Sequence, residues 1–249
     1  MCGIFGILDK RGFTTSDRDL NELVLHSEQR GRDSSGLLLN DGTSGYEVHK
    51  ADYRITRLHR ELDPKTLNLI IGHSRLVTNG IADNQPVISD DAIVFHNGII
   101  VNADELWPTI SQNRALSIDT EIIAALSTHY LKEGLSLEQI PSRIMERCEG
   151  VVACALAFMK DGKLCLFSNN GSLFTGVHGS SKVFASESYP LTEMGCSQIK
   201  QVFKPVFWDI PRSSEGIKLT SSSQRSLDLI PALSFNSKEE KLLEYRQNN

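Results

Sequence analysis

The chain predicts an α+β fold of antiparallel sheets with helices packed on their outer faces. Three observations carry this. Short apolar runs rich in β-formers appear near the start and recur in the second half, with helix-spaced apolar residues in between. The regular strand–helix alternation of a parallel array is missing. Asp161-Gly162 joins two apolar runs as a tight hairpin.

Taken in order, Cys2 to Leu8 reads as a buried strand. Ser16 to Arg30 reads as a helix, with Leu20, Leu23 and Val24 at helical spacing, Ser16 as N-cap and Gly31 as the residue past its end. Gly36–Leu39, Leu69–His73, Ala92–His96 and Ile99–Val101 read as strands. Asp119–Leu131 is a helix with Ile122, Ile123 and Leu126 on one face and Gly134 ending it. Pro141–Cys148 is another, with proline in the first turn, where a missing N–H costs nothing. Val151–Met159, Leu164–Ser168 and Val183–Ser186 are strands, the last entered through Gly179-Ser180-Ser181. Beyond about residue 210 the composition turns to serine clusters and the charged Lys238-Glu239-Glu240-Lys241. One domain over 1–218 and a polar tail or linker over 219–249 are expected.

Bulk composition narrows the function. A net charge of −5 gives no reason to expect nucleic acid as a partner. No apolar run approaches the roughly 20 residues that span a bilayer. The N-terminus lacks a basic segment followed by an apolar one, so it does not read as a secretory signal, and a cytoplasmic location is expected. The five cysteines show no C-x-x-C spacing, and no H-x-x-x-H pair occurs. No disulfide framework, metal or cofactor is therefore expected. Cys154 and Cys165 lie in apolar runs and read as buried small hydrophobes.

The chemistry starts at the N-terminus. The chain begins Met1-Cys2-Gly3-Ile4-Phe5-Gly6. Removal of Met1 would give one residue both a thiol and a free α-amine. The thiolate is the reactive form, and an α-amine of pKa near ~7.7–8.0 is a base suited to taking its proton. Four segments join it. Gln29-Arg30-Gly31-Arg32-Asp33-Ser34 reads either as a helix stop and polar turn, or as a loop in which Arg30 and Asp33 frame the cysteine. Arg75 follows a buried strand, where it is either half of a structural ion pair or a planar fork for a carboxylate. Asn97-Gly98 lies between apolar runs, the pattern of a type I′ hairpin turn. An asparagine amide beside a glycine N–H also offers two donors for an oxyanion. Asp119 opens a helix, as an N-cap or as a partner for an ammonium group.

These segments, in this order, resemble the class II glutamine amidotransferase domain of the N-terminal nucleophile (Ntn) hydrolases, over roughly residues 2–210. Cys2-Gly3-Ile4-Phe5-Gly6, Arg30-Gly31-x-Asp33-Ser34-x-Gly36, Gly72-His73-x-Arg75, His96-Asn97-Gly98 and Asp119-Thr120-Glu121 carry the likeness, and His96–Asn102 is most similar to the glucosamine-6-phosphate synthase branch. The resemblance implies a four-layer αββα sandwich and hydrolysis of glutamine to glutamate and ammonia. It implies Cys2 as nucleophile with its own amine as base, and Asn97 and Gly98 as the oxyanion hole. Arg75 would hold the substrate α-carboxylate, Asp119 the α-ammonium, and Thr78 would line the pocket. Arg30 would support the cysteine loop. The chain departs from that branch at Leu76, Val77, Asn79 and Gln85, on the loop expected to cover glutamine. No phosphosugar-binding, phosphoribosyl-binding or ATP-pyrophosphatase motif follows, so an ammonia-accepting synthetase is expected as a partner. A free-standing amidohydrolase on another amide and a non-catalytic regulatory subunit are the alternatives.

Overall fold

Strand alternation builds this molecule, because successive residues along each buried strand serve different cores. The computed structural model describes residues 2–43, 45–77, 83–90, 92–213 and 217–222. The first half contains β1 (Gly3–Thr14), α1 (Arg18–Arg30), β2 (Ser34–Asn40), β3 (Tyr46–Ala51), α2 (Ile55–Arg60) and β4 (Thr66–Arg75). Next come β5 (Val87–Ile88), β6 (Ile93–Ile100), α3 (Ala103–Leu106), α4 (Thr120–Lys132) and α5 (Ile140–Arg147). The remainder is β7 (Gly150–Phe158), β8 (Lys163–Ser168), β9 (Phe174–His178), β10 (Ser181–Ala185), α6 (Ser188–Glu193), β11 (Ser197–Gln201), β12 (Val206–Asp209) and β13 (Lys218–Ser222).

One sheet has the order β11-β9-β10-β1-β4-β2-β3-β13, the other β12-β8-β7-β6-β5. Ile4 and Leu8 of β1, Leu38 of β2 and Leu69 and Ile71 of β4 meet Ile93 and Phe95 of β6 and Ala153, Ala155 and Ala157 of β7 between the sheets. The alanines leave room for the larger side chains opposite. Phe5, Ile7, Leu37 and Ile70, on the other face of the large sheet, pack against Leu20, Leu23 and Val24 of α1, Leu58 of α2 and Leu191 of α6. Val94, Val152, Leu156 and Phe158, on the other face of the small sheet, pack against Ile122, Ile123 and Leu126 of α4 and Ile140 and Ile144 of α5. The layers are thus helix, sheet, sheet, helix, as the resemblance implied. Cys154 and Cys165 are fully buried in the last of these cores.

Three local expectations change. β6 runs unbroken through Asn97-Gly98, in register with β7 from Ile93↔Ala157 to Ile100↔Gly150. A type I′ turn needs positive φ at both residues, and neither has it. Long-range pairing with β7 overrides the local turn signal. The N-cap of α1 is Asp17, not Ser16, and its carboxylate accepts from Thr14 N–H at 3.0 Å and Thr14 Oγ1 at 2.8 Å instead of capping the helix. Gly31 is extended, with φ −170°, so it is not a left-handed helix terminator. It is glycine because a Cβ there would lie 2.3 Å from the Arg75 carbonyl carbon.

The segment expected to begin a tail at 219 starts inside β13, which pairs parallel to β3 from Lys218↔Glu47 to Ser222↔Ala51. Residues 223–249 lie outside the described residues. Among the described residues, no helix is long and apolar enough to cross a membrane.

Candidate active site

The proposed nucleophile sits at the head of the most central strand pair. β1 lies between β10 and β4, and Gly3 is in register with Ser74. The alternation that sends Ile4 and Leu8 between the sheets carries Cys2 to the same side, at the rim. Cys2 is half-buried, and its Sγ is 3.6 Å from the Leu76 carbonyl. Burial pushes its thiol pKa up, while the Leu76 backbone and the Arg75 charge oppose that rise. The thiol is therefore protonated at neutral pH and needs a base. Met1 lies outside the described residues.

The loop after α1 fixes this strand end. Arg30 Nε donates to the Cys2 carbonyl at 2.8 Å, and its guanidinium also pairs with Glu187. Ser27 Oγ donates to the Gly3 carbonyl at 3.2 Å, and Ser186 Oγ accepts the Ile4 N–H at 2.9 Å. Asp33 holds the next loop rather than the cysteine. Its N–H donates to the Arg75 carbonyl at 3.0 Å, and its carboxylate accepts the Val77 N–H at 2.7 Å. Ser74 Oγ donates to the Gly31 carbonyl at 2.6 Å, across the close approach that excludes a Cβ at Gly31.

Arg75 ends β4 and is only 2% exposed. Its guanidinium donates to the Asp83 carbonyl. Burial pulls its pKa down, and the charges of Cys2, Asp119, Asp83 and Asp33 pull it back up. Cys2, Arg75 and Asp119 therefore share one electrostatic environment although they come from β1, β4 and the start of α4. Asp83 is fixed in turn, its carboxylate accepting Ser117 N–H at 2.5 Å and Ser117 Oγ at 2.6 Å.

Asn97 belongs to the alternation of Ile93 and Phe95, which face the large sheet, and is 1% exposed. Its Oδ1 has no hydrogen-bond partner among the described residues. Gly98 is held against β7, where a Cβ would lie 1.8 Å from the Val151 carbonyl oxygen. Asp119 precedes α4 but makes no cap; its Oδ2 accepts the Ile100 N–H at 2.8 Å. Asp119 thus holds the N-cap position of α4, as one of the two readings has it, but its carboxylate is turned to the strand edge instead of capping the helix. Thr78 lies outside the described residues.

Several groups escaped the sequence reading. Glu187, just before α6, pairs with Arg30 at the end of α1, at 157 residues' separation, where no local pattern reveals it. His73 is fully buried two residues before Arg75, on the same face; neither ring nitrogen makes a hydrogen bond of normal geometry among the described residues, although the His96 backbone is near enough to favour the charged ring. Gln85 is buried and clamps the backbone of His96. Among the described residues, no group of three or more His, Cys, Asp or Glu is arranged to hold a metal ion.

Residues 73–193 match the family described as a glutamine amidotransferase domain. The chain is 33% identical over 192 residues to glutamine–fructose-6-phosphate aminotransferase (isomerizing) of Bartonella henselae, covering 74% of this chain and 31% of that protein. It is 30% identical to the Rhizobium meliloti protein of the same name, with the same coverage. The chain thus spans about a third of the length of these curated relatives. Among solved structures, glutamine phosphoribosylpyrophosphate amidotransferase from B. subtilis superposes with a TM-score of 0.67 at 22% identity, over 84% of this chain and 47% of that one. A structure titled as the allosteric regulatory enzyme of purine biosynthesis gives 0.68 at 24% identity, over the same shares. These two likenesses establish a common fold.

Proposed function

We propose, from the match of residues 73–193 to the glutamine amidotransferase domain family and the likeness over 192 residues to the aminotransferases, that the chain belongs to this family and hydrolyses L-glutamine to glutamate and ammonia through a thioester at Cys2. The observation that carries the reading is a half-buried Cys2 thiol 3.6 Å from the carbonyl of Leu76, next to the buried Arg75 guanidinium, with the charges of Arg75 and of the buried Asp119 carboxylate both acting on it. A free α-amino acid has a carboxylate and an ammonium group to match those two charges.

Once Met1 is removed, the Cys2 α-amine takes the thiol proton. Sulfur attacks the amide carbon, and the carbonyl oxygen becomes an oxyanion. The Asn97 side-chain amide and the Gly98 N–H donate to it. The amine returns its proton to the leaving nitrogen, ammonia departs, and a thioester remains. Water, deprotonated by the same amine, then attacks the thioester. Glutamate leaves and the thiol is restored. Arg75 binds the substrate α-carboxylate bidentately. Asp119, with Oδ2 engaged by Ile100, offers its other oxygen to the ammonium. Arg30 and Asp33 keep the cysteine loop and the Leu76–Val77 backbone in place.

Ammonia is mostly ammonium near neutral pH and is then no nucleophile, so the product is best delivered directly. An ammonia-accepting synthetase, as a further domain or a separate protein, would dock over the segment from Arg75 to Pro86, where Leu76 is 41% exposed. The test is ammonia release from glutamine by the purified protein, alone and with candidate synthetases, with transfer of the amide nitrogen followed into product. No release under any condition would overturn the reading. Full turnover without a partner would favour a free-standing amidohydrolase.

A further inference from the structure

β5 covers only the start of β6, pairing Val87 with Val94 and Ile88 with Ile93. Continued one step back, this register sets Pro86 opposite Phe95 and Gln85 opposite His96. Pro86 owes β6 no bond, because the backbone of Phe95 turns to β7, and the Gln85 N–H is taken by Asn84 Oδ1 instead of His96. The ladder continues through a side chain instead. Gln85 Oε1 accepts the His96 N–H at 2.6 Å, and Gln85 Nε2 donates to the His96 carbonyl at 2.9 Å. A carboxamide has one acceptor end and one donor end, so it satisfies both backbone groups of a single residue.

The location along β6 gives this contact its consequence. In an antiparallel strand, alternate residues direct their N–H groups to the same edge. At this edge Val94 meets β5, His96 meets the Gln85 side chain, and Ile100 meets Asp119 Oδ2. The Gly98 N–H faces the same edge, between the two side-chain clamps.

Gln85 is anchored to the other sheet by its neighbour. Asn84 Nδ2 donates to the carbonyls of Ser35 at 2.7 Å and Ala51 at 2.9 Å, and Lys50 Nζ donates to the Asn84 carbonyl at 3.2 Å. Asn84 Oδ1 accepts the Gln85 N–H at 2.8 Å. Asn84-Gln85 therefore staples β2 and β3 of the large sheet to the edge of β6. Cys2 belongs to the large sheet, and Asn97-Gly98 to the small one.

We propose that Gln85 is a positioning residue, which sets the Asn97 and Gly98 donors against Cys2 by replacing the missing strand partner of His96. The inference rests on the oxyanion role given to those donors above. A displaced donor weakens an oxyanion more than it weakens ground-state binding, since binding runs through Arg75 and Asp119.

Two variants test it. Gln85→Leu removes both hydrogen bonds at similar volume. Gln85→Glu keeps an acceptor for the His96 N–H and regains the donor only when protonated. For Gln85→Leu, kcat for glutamine should fall about 10-fold, with KM changed by less than about threefold. For Gln85→Glu, the ratio of its kcat to that of the wild type should rise as pH falls. Amide exchange over 95–100 reads the strand edge without turnover, and should quicken at His96 and Gly98 in Gln85→Leu. Unchanged kcat would overturn the inference. So would a joint loss of kcat, glutamine affinity and Tm with no pH-dependent recovery in the Glu variant. If the wild type fails to hydrolyse glutamine, the functional reading falls. Exchange at His96 and Gly98 then decides the positioning, faster supporting it and unchanged overturning it.

Discussion

Asp119 Oδ2 accepts the backbone N–H of Ile100 at 2.8 Å and leaves the first turn of α4 without a side-chain cap. A carboxylate at a helix start ordinarily serves the helix. Here it serves the strand that carries Asn97 and Gly98, three and two residues before Ile100. Charge and hydrogen bonding at Asp119 can therefore be separated. Asp119→Asn keeps an acceptor for Ile100 and removes the charge proposed to meet the ammonium. Its kcat/KM for glutamine should drop about 10- to 150-fold, the loss of one charge-assisted contact of roughly 1.5–3 kcal/mol, with Tm nearly unchanged. Asp119→Ala also strands a backbone N–H, and unfolding should become easier by about 1–3 kcal/mol. Wild-type kinetics in Asp119→Asn would reduce Asp119 to a strand tie.

On the proposed thioester route, a thiol whose pKa burial raises needs a base, so removal of Met1 becomes a condition of activity. With Met1 retained, the Cys2 nitrogen is an amide and cannot accept a proton. Intact mass should show that active preparations lack Met1, and fractions that keep it should release no ammonia. Cys2→Ala should abolish release while leaving Tm near that of the wild type, because among the described residues the thiol's hydrogen bond is the long one to the Leu76 carbonyl at 3.6 Å, and the Arg30 bond to the Cys2 backbone carbonyl is kept. Comparable ammonia release by purified Cys2→Ala would refute the thioester route.

What the sequence disclosed, and what it hid, follows from the range of the forces involved. The helix at Ile122, Ile123 and Leu126 and the strands around Cys154 and Cys165 were legible, because one face or the whole run is buried and the period is unambiguous. β9 and β11 were not, since their residues are mostly half-buried or exposed and mixed in character. β13 is exposed at all four positions from Lys218 to Ser221, and only its partner β3 defines it. Asn97-Gly98 misled in the opposite sense, a strong local turn signal overruled by eight residues of pairing with β7. In the site, the separate motifs were visible as a resemblance. Their convergence, the Glu187 partner of Arg30 and the Gln85 clamp on His96 exist only in three dimensions.

Because β6 passes straight through Asn97, loss of its side chain should not disturb a turn. Its Oδ1 is buried without a partner among the described residues, an arrangement that costs folding free energy. Asn97→Ala should lower kcat by about 10²–10³, with little change in KM, as for removal of one oxyanion donor. Tm should stay level or rise. Activity falling while stability holds separates a strained functional group from a structural one. Unchanged kcat together with a lower Tm would assign Asn97 to the fold.

His73 supplies a pH dependence with a definite sign. Burial, and next the Arg75 charge, pull its pKa from 6.5 down to about 3. On acidification the unfolded chain takes a proton at His73 near 6.5, whereas the folded protein does not until about 3. The unfolded state thus binds more protons across that window, and stability, fully present above pH 6.5, is lost as pH falls toward 3. His73→Leu removes this titration together with a buried polar group that makes no hydrogen bond of normal geometry among the described residues. Between pH 7 and pH 4.5, roughly across that window, the Leu variant should lose less Tm than the wild type. At pH 7 its Tm should be no lower. Some slope should persist, because burial also lowers the pKa of His59 and His96. Calorimetry at several pH values is the measurement. Parallel Tm–pH lines for the two proteins would mean that His73 is hydrated or paired in solution and does not couple protons to folding.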